Sequence, residues 1–224
     1  FYDSDLIKVI TGIRRCGKSC IMQSVALELK NSGVAEKDII FLNLDKRGFK
    51  NITTSDALEK VIEDRIGDDE FKYIFIDEVQ NVKDFESVIN AFREDGNCSI
   101  FITGSNSYLL SGELVTKLTG RYVQVDMFPL AFDEFLAMKE FCGNKIGDRR
   151  SEFDVYLTSG GFPKALEFPD PDAKAKYVND IVEQIFEKDI RKRCKIRNRV
   201  VFDKVMTYLV NNFGSRINLQ SLEN

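Results

Sequence analysis

Residues 12–19 (GIRRCGKS) follow the apolar run 6–11 (LIKVIT) and precede a segment with helical spacing. They satisfy the pattern GxxxxGK[ST] in the strand–turn–helix context that this pattern requires. Gly12 and Gly17 let the backbone fold back so that successive N–H groups point inward as an anion-binding nest. The helix that begins near Lys18 directs its positive end at the same place. The sequence therefore predicts a phosphate-binding loop, and a chance match is the alternative.

Each position of this loop has an expected role. Lys18 brings a positive charge to the β- and γ-phosphates of a nucleotide, and the Ser19 hydroxyl binds Mg2+. The thiols of Cys16 and Cys20 lie at a helix N-terminus, a position that can lower a thiol pKa. They indicate either redox control of nucleotide binding or simple packing. Beside Lys18 and Ser19, the residues expected to line the nucleotide are Gly12, Ile13, Arg14, Arg15, Cys16, Gly17 and Cys20.

Short apolar runs alternate with segments of helical spacing through the first 130 residues. Strands that are apolar on both faces and separated by helices indicate a parallel sheet covered on two sides. We therefore expect an α/β fold. The predicted strands are 6–11, 39–44, 73–76, 99–102 and 122–125, and the predicted helices are 18–30, 55–66 and one through Phe85, Val88, Ile89 and Phe92.

The pattern changes after Pro129, where longer helical segments replace the short apolar runs. Gly160, Gly161 and Pro163 interrupt these segments. We expect a boundary between an α/β domain and a helical domain near residues 130–145. The predicted helices are 131–141, 152–158, 174–190 and 200–212.

Composition excludes several classes of chemistry. The chain has 32 basic and 36 acidic residues, a net charge of −4 and no histidine, which excludes Ser-His-Asp hydrolysis and His-ligated zinc. Five scattered cysteines indicate a reducing compartment, so we expect a cytoplasmic protein. No apolar run approaches the roughly 20 residues that span a bilayer, so no membrane insertion is expected. The sequence begins at Phe1 without Met, and we expect it to be a trimmed form.

A second motif, 73–78 (YIFIDE), places two carboxylates at the end of a predicted buried strand. This is typical of a Walker B strand that follows a Walker A loop. Asp77 is expected to hold Mg2+ directly or through water, and Glu78 to orient and deprotonate an attacking water. An ordinary acidic pair at a helix N-terminus is the alternative.

Two weaker candidates follow the later strands. Ser105, ranked above Asn106 and Thr103, is expected to sense the γ-phosphate, although Ser and Asn are also good helix N-caps. Arg121 precedes the fifth strand and is a candidate arginine finger, acting in cis or across a subunit interface, or else a surface arginine. Residues 191–199 hold six basic side chains, which indicate either a solvated helix end or a contact with nucleic-acid phosphates or another subunit.

The chain resembles the bacterial and archaeal AAA-type ATPases that carry an uncharacterised C-terminal domain. The resemblance rests on GIRRCGKS, YIFIDEVQ, FITGSNSYLLS, LTGRYVQVDMFPLAFDEFL and GGFP. It implies an ASCE-type P-loop NTPase core with sheet order 5-1-4-3-2, a helical lid and a winged-helix domain. In that family Lys18, Ser19, Asp77 and Glu78 match the ATP-handling motifs, and Ser105 and Arg121 match other motif positions.

The resemblance also implies a domain plan. Residues 1–130 form the P-loop ATPase core, 131–196 the helical lid and 197–224 the beginning of a truncated winged-helix domain. Within the last domain, 202–213 fits its first helix and 219–222 begins its second.

We expect Mg-dependent ATP binding and hydrolysis that couples nucleotide state to a conformational change. Because no NKxD-like guanine-reading tetrad follows the later strands, adenine is favoured over guanine. The alternative is a nucleotide-gated DNA- or protein-binding switch with slow hydrolysis, and a homo-oligomer is open. A small-molecule kinase is disfavoured because Glu78 suits an activated water.

Overall fold

The computed structural model describes residues 2–67, 71–105, 117–118, 120–191, 196–216 and 218. Within these residues five strands form one parallel sheet in the order β2-β3-β4-β1-β5. Counted from the other edge, this is the order 5-1-4-3-2, so the predicted parallel α/β P-loop fold is confirmed. The strands are β1 (Ile7–Gly12), β2 (Ile39–Asn43), β3 (Lys72–Asp77), β4 (Cys98–Ser105) and β5 (Tyr122–Met127).

The helices of the described residues follow the predicted order with shifted ends. One predicted helix starts at 152, whereas α5 begins at Arg149, because the Asp148 carboxylate accepts hydrogen bonds from the N–H groups of Arg150 and Ser151. Apolar spacing does not reveal such a cap. The helices are α1 (Lys18–Asn31), α2 (Ser55–Glu63), α3 (Phe85–Asp95), α4 (Phe132–Phe141), α5 (Arg149–Ser159), α6 (Pro171–Ile185), continued by a π-helical turn (Phe186–Ile190), and α7 (Arg199–Asn211).

Alternate residues of the strands enter separate cores on the two faces of the sheet. Ile74 and Ile76 of β3 pack in the core that contains the apolar residues of α2 and α3. Phe75, between them, packs in the core that contains the apolar residues of α1. The rings of Phe75 and Phe101 are stacked, with centroids 4.6 Å apart. Both faces of the sheet are thus covered, as the apolar strands predict.

Parallel pairing brings the carboxyl ends of neighbouring strands to the same end of the sheet. Gly12, the last residue of β1, pairs with Ser105 of β4 and Met127 of β5. Asn43 pairs with Asp77 at the ends of β2 and β3. The residues that follow these strands therefore lie at the carboxyl-terminal end of the sheet, which is where parallel α/β sheets bind ligands.

The chain divides into two compact units, Phe1–Glu183 and Gln184–Asn224. In the second unit, the Arg199 guanidinium lies 3.6 Å from the centroid of the Phe186 ring, and the Phe186 and Phe202 rings are 4.7 Å apart. The segment 219–222, expected to begin a second helix, lies outside the described residues. Among the helices described, none has the length and apolar character needed to cross a bilayer.

Candidate functional site

Two glycines shape the turn between β1 and α1. Gly12 has φ +157°, and a Cβ there would lie 2.5 Å from the Met127 carbonyl oxygen and 2.6 Å from Cys16 Sγ. Gly17 has φ +114°, a backbone conformation that side chains with a Cβ rarely adopt. Both positions of the predicted loop therefore require glycine, one for space and both for backbone conformation.

The N-terminus of α1 is open to an anion. Gly17 is its N-cap and supplies no capping side chain, and the first turn contains no acidic residue. The N–H groups of this turn and the positive end of the helix dipole therefore have no side-chain acceptor to neutralise them. Such a terminus is a ready phosphate site.

Lys18 places its ammonium inside the loop. Its Nζ donates hydrogen bonds of 2.9 Å to the Gly12 carbonyl and 3.1 Å to the Ile13 carbonyl, and the residue is 5% exposed. An ammonium has three donors, and these two carbonyls use two of them. A phosphate oxygen in the loop would therefore find a buried positive charge already in position.

The other loop residues differ in exposure. Ile13 and Arg14 are half-buried, Arg15 is exposed with φ +65°, and Ser19 is half-buried in the first turn of α1. Cys16 is buried, whereas Cys20 is exposed.

The environment of Cys16 bears on redox control of the loop. Burial raises the pKa of the Cys16 thiol, with Lys18 opposing this only in part. A raised pKa reduces the thiolate fraction, so the structure favours the packing role for Cys16 over redox control.

Asp77 is held by two neutral donors from the strands on either side of β3. The Thr103 hydroxyl donates a 2.6 Å hydrogen bond to Asp77 Oδ1, and Asn43 Nδ2 donates a 2.7 Å hydrogen bond to Oδ2. Asp77 is 1% exposed. Each carboxylate oxygen keeps further lone pairs, so the carboxylate is oriented and can still accept from a metal-bound water or ligate a metal.

Glu78 lies directly beyond β3 in a left-handed backbone conformation, with φ +60° and ψ +49°. Its N–H donates a 3.0 Å hydrogen bond to the Thr103 hydroxyl, and its Oε2 accepts a hydrogen bond from Gln80 Nε2. A residue with a Cβ adopts this conformation at a cost of about 1–2 kcal/mol. Backbone strain of this kind concentrates at functional sites, which supports a functional role for Glu78.

Sequence reasoning missed part of this arrangement. The sequence ranks Thr103 below Ser105 as a sensor, yet the Thr103 side chain contacts both Asp77 and Glu78. The sequence does not single out Asn43, although it is a polar residue near the end of the predicted strand 39–44 and such a residue can face the end of the third strand. The main chain of Ser105 pairs with Gly12, and Asn106 lies outside the described residues.

The structure contradicts a role in cis for Arg121. The Arg121 carbonyl accepts a 2.9 Å hydrogen bond from the N–H of Ile7, the first residue of β1. The phosphate loop follows Gly12 at the other end of that strand, about 16 Å away at about 3.3 Å per residue. The guanidinium instead lies 3.7 Å from Glu94 Oε1. An arginine side chain cannot span the strand, so the two readings that stay open are a finger across a subunit interface and a surface arginine paired with Glu94.

The residues present fit Mg2+ and a nucleotide. The described residues contain no cluster of three or more His, Cys, Asp or Glu side chains that could hold a metal ion. Mg2+ at a phosphate site needs no such cage, since it uses one or two protein oxygens, waters and phosphate oxygens. The Ser19 hydroxyl and the Asp77 carboxylate supply oxygens of this kind, Ser19 in the first turn of α1 and Asp77 at the carboxyl end of β3.

Family models match two parts of the chain. Residues 4–136 match the AAA domain model AAA_14, and residues 150–224 match a domain of unknown function, DUF8612. The chain is 34% identical over 227 residues to an uncharacterized protein of Haemophilus influenzae and 31% identical over 225 residues to one of Methanocaldococcus jannaschii. These alignments cover 100% and 97% of this chain but 56% and 49% of the relatives, so the chain spans about half their length.

A solved structure supports the same fold. Caenorhabditis elegans PCH-2 aligns with a TM-score of 0.52 and 13% identity, covering 81% of this chain and 61% of that one. Identity this low shows a shared fold alone. The match to the AAA domain model covers more than half of the chain, and it coincides with the sheet, the glycine-shaped loop and the buried lysine. The chain therefore belongs to the AAA domain family and is a nucleotide-binding protein of the AAA-type P-loop fold.

Proposed function

We propose that this chain hydrolyses the β–γ phosphoanhydride bond of ATP in a Mg-dependent reaction. One observation carries the proposal: Glu78 follows Asp77 at the sheet edge where β1 leads into the phosphate loop. A protein that only binds nucleotide needs no general base beside its phosphate site.

The roles of the site residues follow from their positions. Lys18 and the N–H groups that open α1 hold the β- and γ-phosphates. Ser19 and Asp77 would hold Mg2+, which would stabilise the negative charge that develops on the phosphate oxygens. Glu78 accepts a proton from a water molecule as the water oxygen forms a bond to the γ-phosphorus. The bond between the γ-phosphorus and the β–γ bridging oxygen breaks, and ADP leaves with the electron pair of that bond.

We also propose that the loop communicates with the helices after β5. A Cβ at Gly17 would lie 3.6 Å from Met127 Cε, so Met127 adjoins the loop. Three residues later, the Leu130 N–H donates a 2.7 Å hydrogen bond to the Gly161 carbonyl, and the Tyr156 hydroxyl donates a 2.9 Å bond to the Leu130 carbonyl. A change at the phosphates can thus be passed from Met127 to α5. In this proposal residues 131–196 form the lid, and 197–224 begin a winged-helix domain.

The alternative is a nucleotide-gated switch that binds DNA or a protein with slow hydrolysis. Two arginines of the basic run are engaged locally: Arg191 lies 3.0 Å from Glu187, and Arg199 lies 2.8 Å from Asp203. Acidic partners reduce the positive field available to nucleic-acid phosphates. This observation favours the solvated helix end over a contact of the basic run with DNA.

Phosphate release with Mg-ATP, with and without duplex DNA, tests the proposal. We expect turnover by the wild type, loss of ATP binding in Lys18→Ala by about ten- to hundred-fold, and unchanged ATP affinity without turnover in Glu78→Gln. Lys30→Ala is the matched control, since Lys30 lies on the same helix but pairs with Glu36. Turnover that survives in Glu78→Gln would assign the base elsewhere. Phosphate release that stays slow with and without DNA, while ATP changes the affinity for DNA, would favour the switch.

A further inference from the structure

Gln80 presents an unpaired acceptor beside Glu78. Its Nε2 donates to Glu78 Oε2, while its Oε1 is buried and has no hydrogen-bond donor among the described residues. The opposite orientation of the amide would bring two acceptor oxygens together, so the NH2 group faces the carboxylate. A buried acceptor without a donor is unfavourable, and such atoms mark places where a water or ligand binds.

The backbone around Gln80 holds this pair together. The left-handed conformation of Glu78 leads into a single 3-10 turn, Val79–Asn81, that returns the chain beside Glu78. Val79 is fully buried, and Asn81 Nδ2 donates a 3.0 Å hydrogen bond to Asp45 Oδ1. Gln80 therefore lies between two anchored residues, on a turn that places its amide against the Glu78 carboxylate.

We infer that Gln80 and Glu78 together bind the attacking water, an inference that rests on the proposed hydrolysis. The water donates one hydrogen to the Glu78 carboxylate and the other to Gln80 Oε1. Both acceptors are then satisfied, and the water oxygen is held with a lone pair directed at the γ-phosphorus. Glu78 removes one proton as the oxygen–phosphorus bond forms and ADP leaves, and Gln80 keeps the second hydrogen bond without taking the proton.

Two substitutions at residue 80 test whether the amide is needed. Gln80→Met keeps the length of the side chain and removes both groups. We expect its kcat to fall by about 100-fold, the scale of a misplaced reactant, while KM and ATP affinity stay within about two-fold. Gln80→Glu keeps an acceptor oxygen but repels Glu78, and it is expected to be as slow as Gln80→Met.

A double-mutant cycle distinguishes this role from a structural one. If the two side chains act on one water, Gln80→Met lowers kcat by a smaller factor in the Glu78→Asp background, which keeps a carboxylate base, than in the wild type. Gln124→Met is the matched control, because Gln124 Nε2 donates in the same way to Asp126, two residues on, at 2.7 Å. We expect this control to keep the wild-type kcat.

Three results would overturn the inference. The first is a wild-type kcat in Gln80→Met. The second is a fall in ATP affinity or thermal midpoint that accounts for the lower kcat of that variant. The third is a double-mutant cycle in which the two substitutions have additive effects on the logarithm of kcat. A wild-type protein that binds ATP without hydrolysing it would instead overturn the proposed function, and the inference with it.

Discussion

The Thr103 hydroxyl joins the two candidate carboxylate residues, donating to Asp77 Oδ1 at 2.6 Å and accepting from the Glu78 N–H at 3.0 Å. Thr103 is fully buried, so water does not compete for either bond. One side chain on β4 thereby fixes both the carboxylate proposed to hold Mg2+ and the backbone of the proposed general base.

Replacing Thr103 with valine should uncouple these two residues. Thr103→Val preserves the shape of the side chain but leaves an Asp77 oxygen and the Glu78 N–H without their partner. We expect the free energy of unfolding to fall by about 1–3 kcal/mol and the Mg2+ concentration for half-maximal phosphate release to rise. Denaturant titration and Mg2+ titration measure the two effects. Thr103→Ser should restore both, and an unchanged Mg2+ dependence in Thr103→Val would argue against the link.

Arg121 should act, if it acts at all, on a neighbouring subunit. Its position at the far end of β1 from the loop prevents contact with its own nucleotide. We expect Arg121→Ala to keep ATP affinity within a few-fold and to lose turnover, because a finger acts on charge that develops in the transition state. Mixing Arg121→Ala with Lys18→Ala should recover activity that rises with protein concentration. Full activity of Arg121→Ala alone would remove Arg121 from the mechanism.

The contact between Gly161 and Leu130 should be intolerant of any side chain. A Cβ at Gly161 would lie 2.2 Å from the Leu130 carbonyl oxygen, a backbone atom that cannot move away cheaply. Gly161→Ala is therefore expected to lower the free energy of unfolding by about 1–3 kcal/mol. Gly48→Ala is the control, since nothing lies within 4 Å of a Cβ there. Equal stability of the two variants in a denaturant titration would contradict this packing.

Lys8 should make stability depend on pH in the alkaline range. Its ammonium is buried in β1 and donates to the Ser4 carbonyl at 2.6 Å and the Ser99 hydroxyl at 2.9 Å. Burial lowers the pKa of Lys8 from 10.5 to about 8, although nearby anionic side chains partly oppose this shift. Between pH 8 and 10.5 the unfolded chain therefore binds more protons at this residue than the folded chain does. The stability contribution of Lys8 consequently rises with pH across that window.

The measurement compares the wild type with Lys8→Met by denaturant titration from pH 7 to 10. Other alkaline titrations occur in both proteins, so the difference isolates Lys8. We expect the wild type to gain stability relative to the variant as pH rises. A constant difference, or one that moves in the opposite direction, would show that the buried ammonium is not disfavoured.

The local features of this fold were predictable because they depend on neighbours in the chain. The run 6–11, the glycines of the loop and the apolar spacing after Lys18 together specify a strand, a tight turn and a helix. The second motif places Asp77 and Glu78 at a strand end for the same reason. The sheet order came from resemblance to a family, since apolar runs alone do not say which strands are adjacent.

Tertiary structure decided the contacts between residues that are distant in sequence. Asn43, Asp77 and Thr103 belong to three strands, and their side chains meet because parallel pairing brings those strand ends to one edge. The same pairing places Arg121 at the amino-terminal end of the sheet, because Arg121 precedes β5 whereas the phosphate loop follows β1. The sequence determined which groups the site could use. The register of the sheet, which arises from pairing between separated segments, determined which of them share one edge.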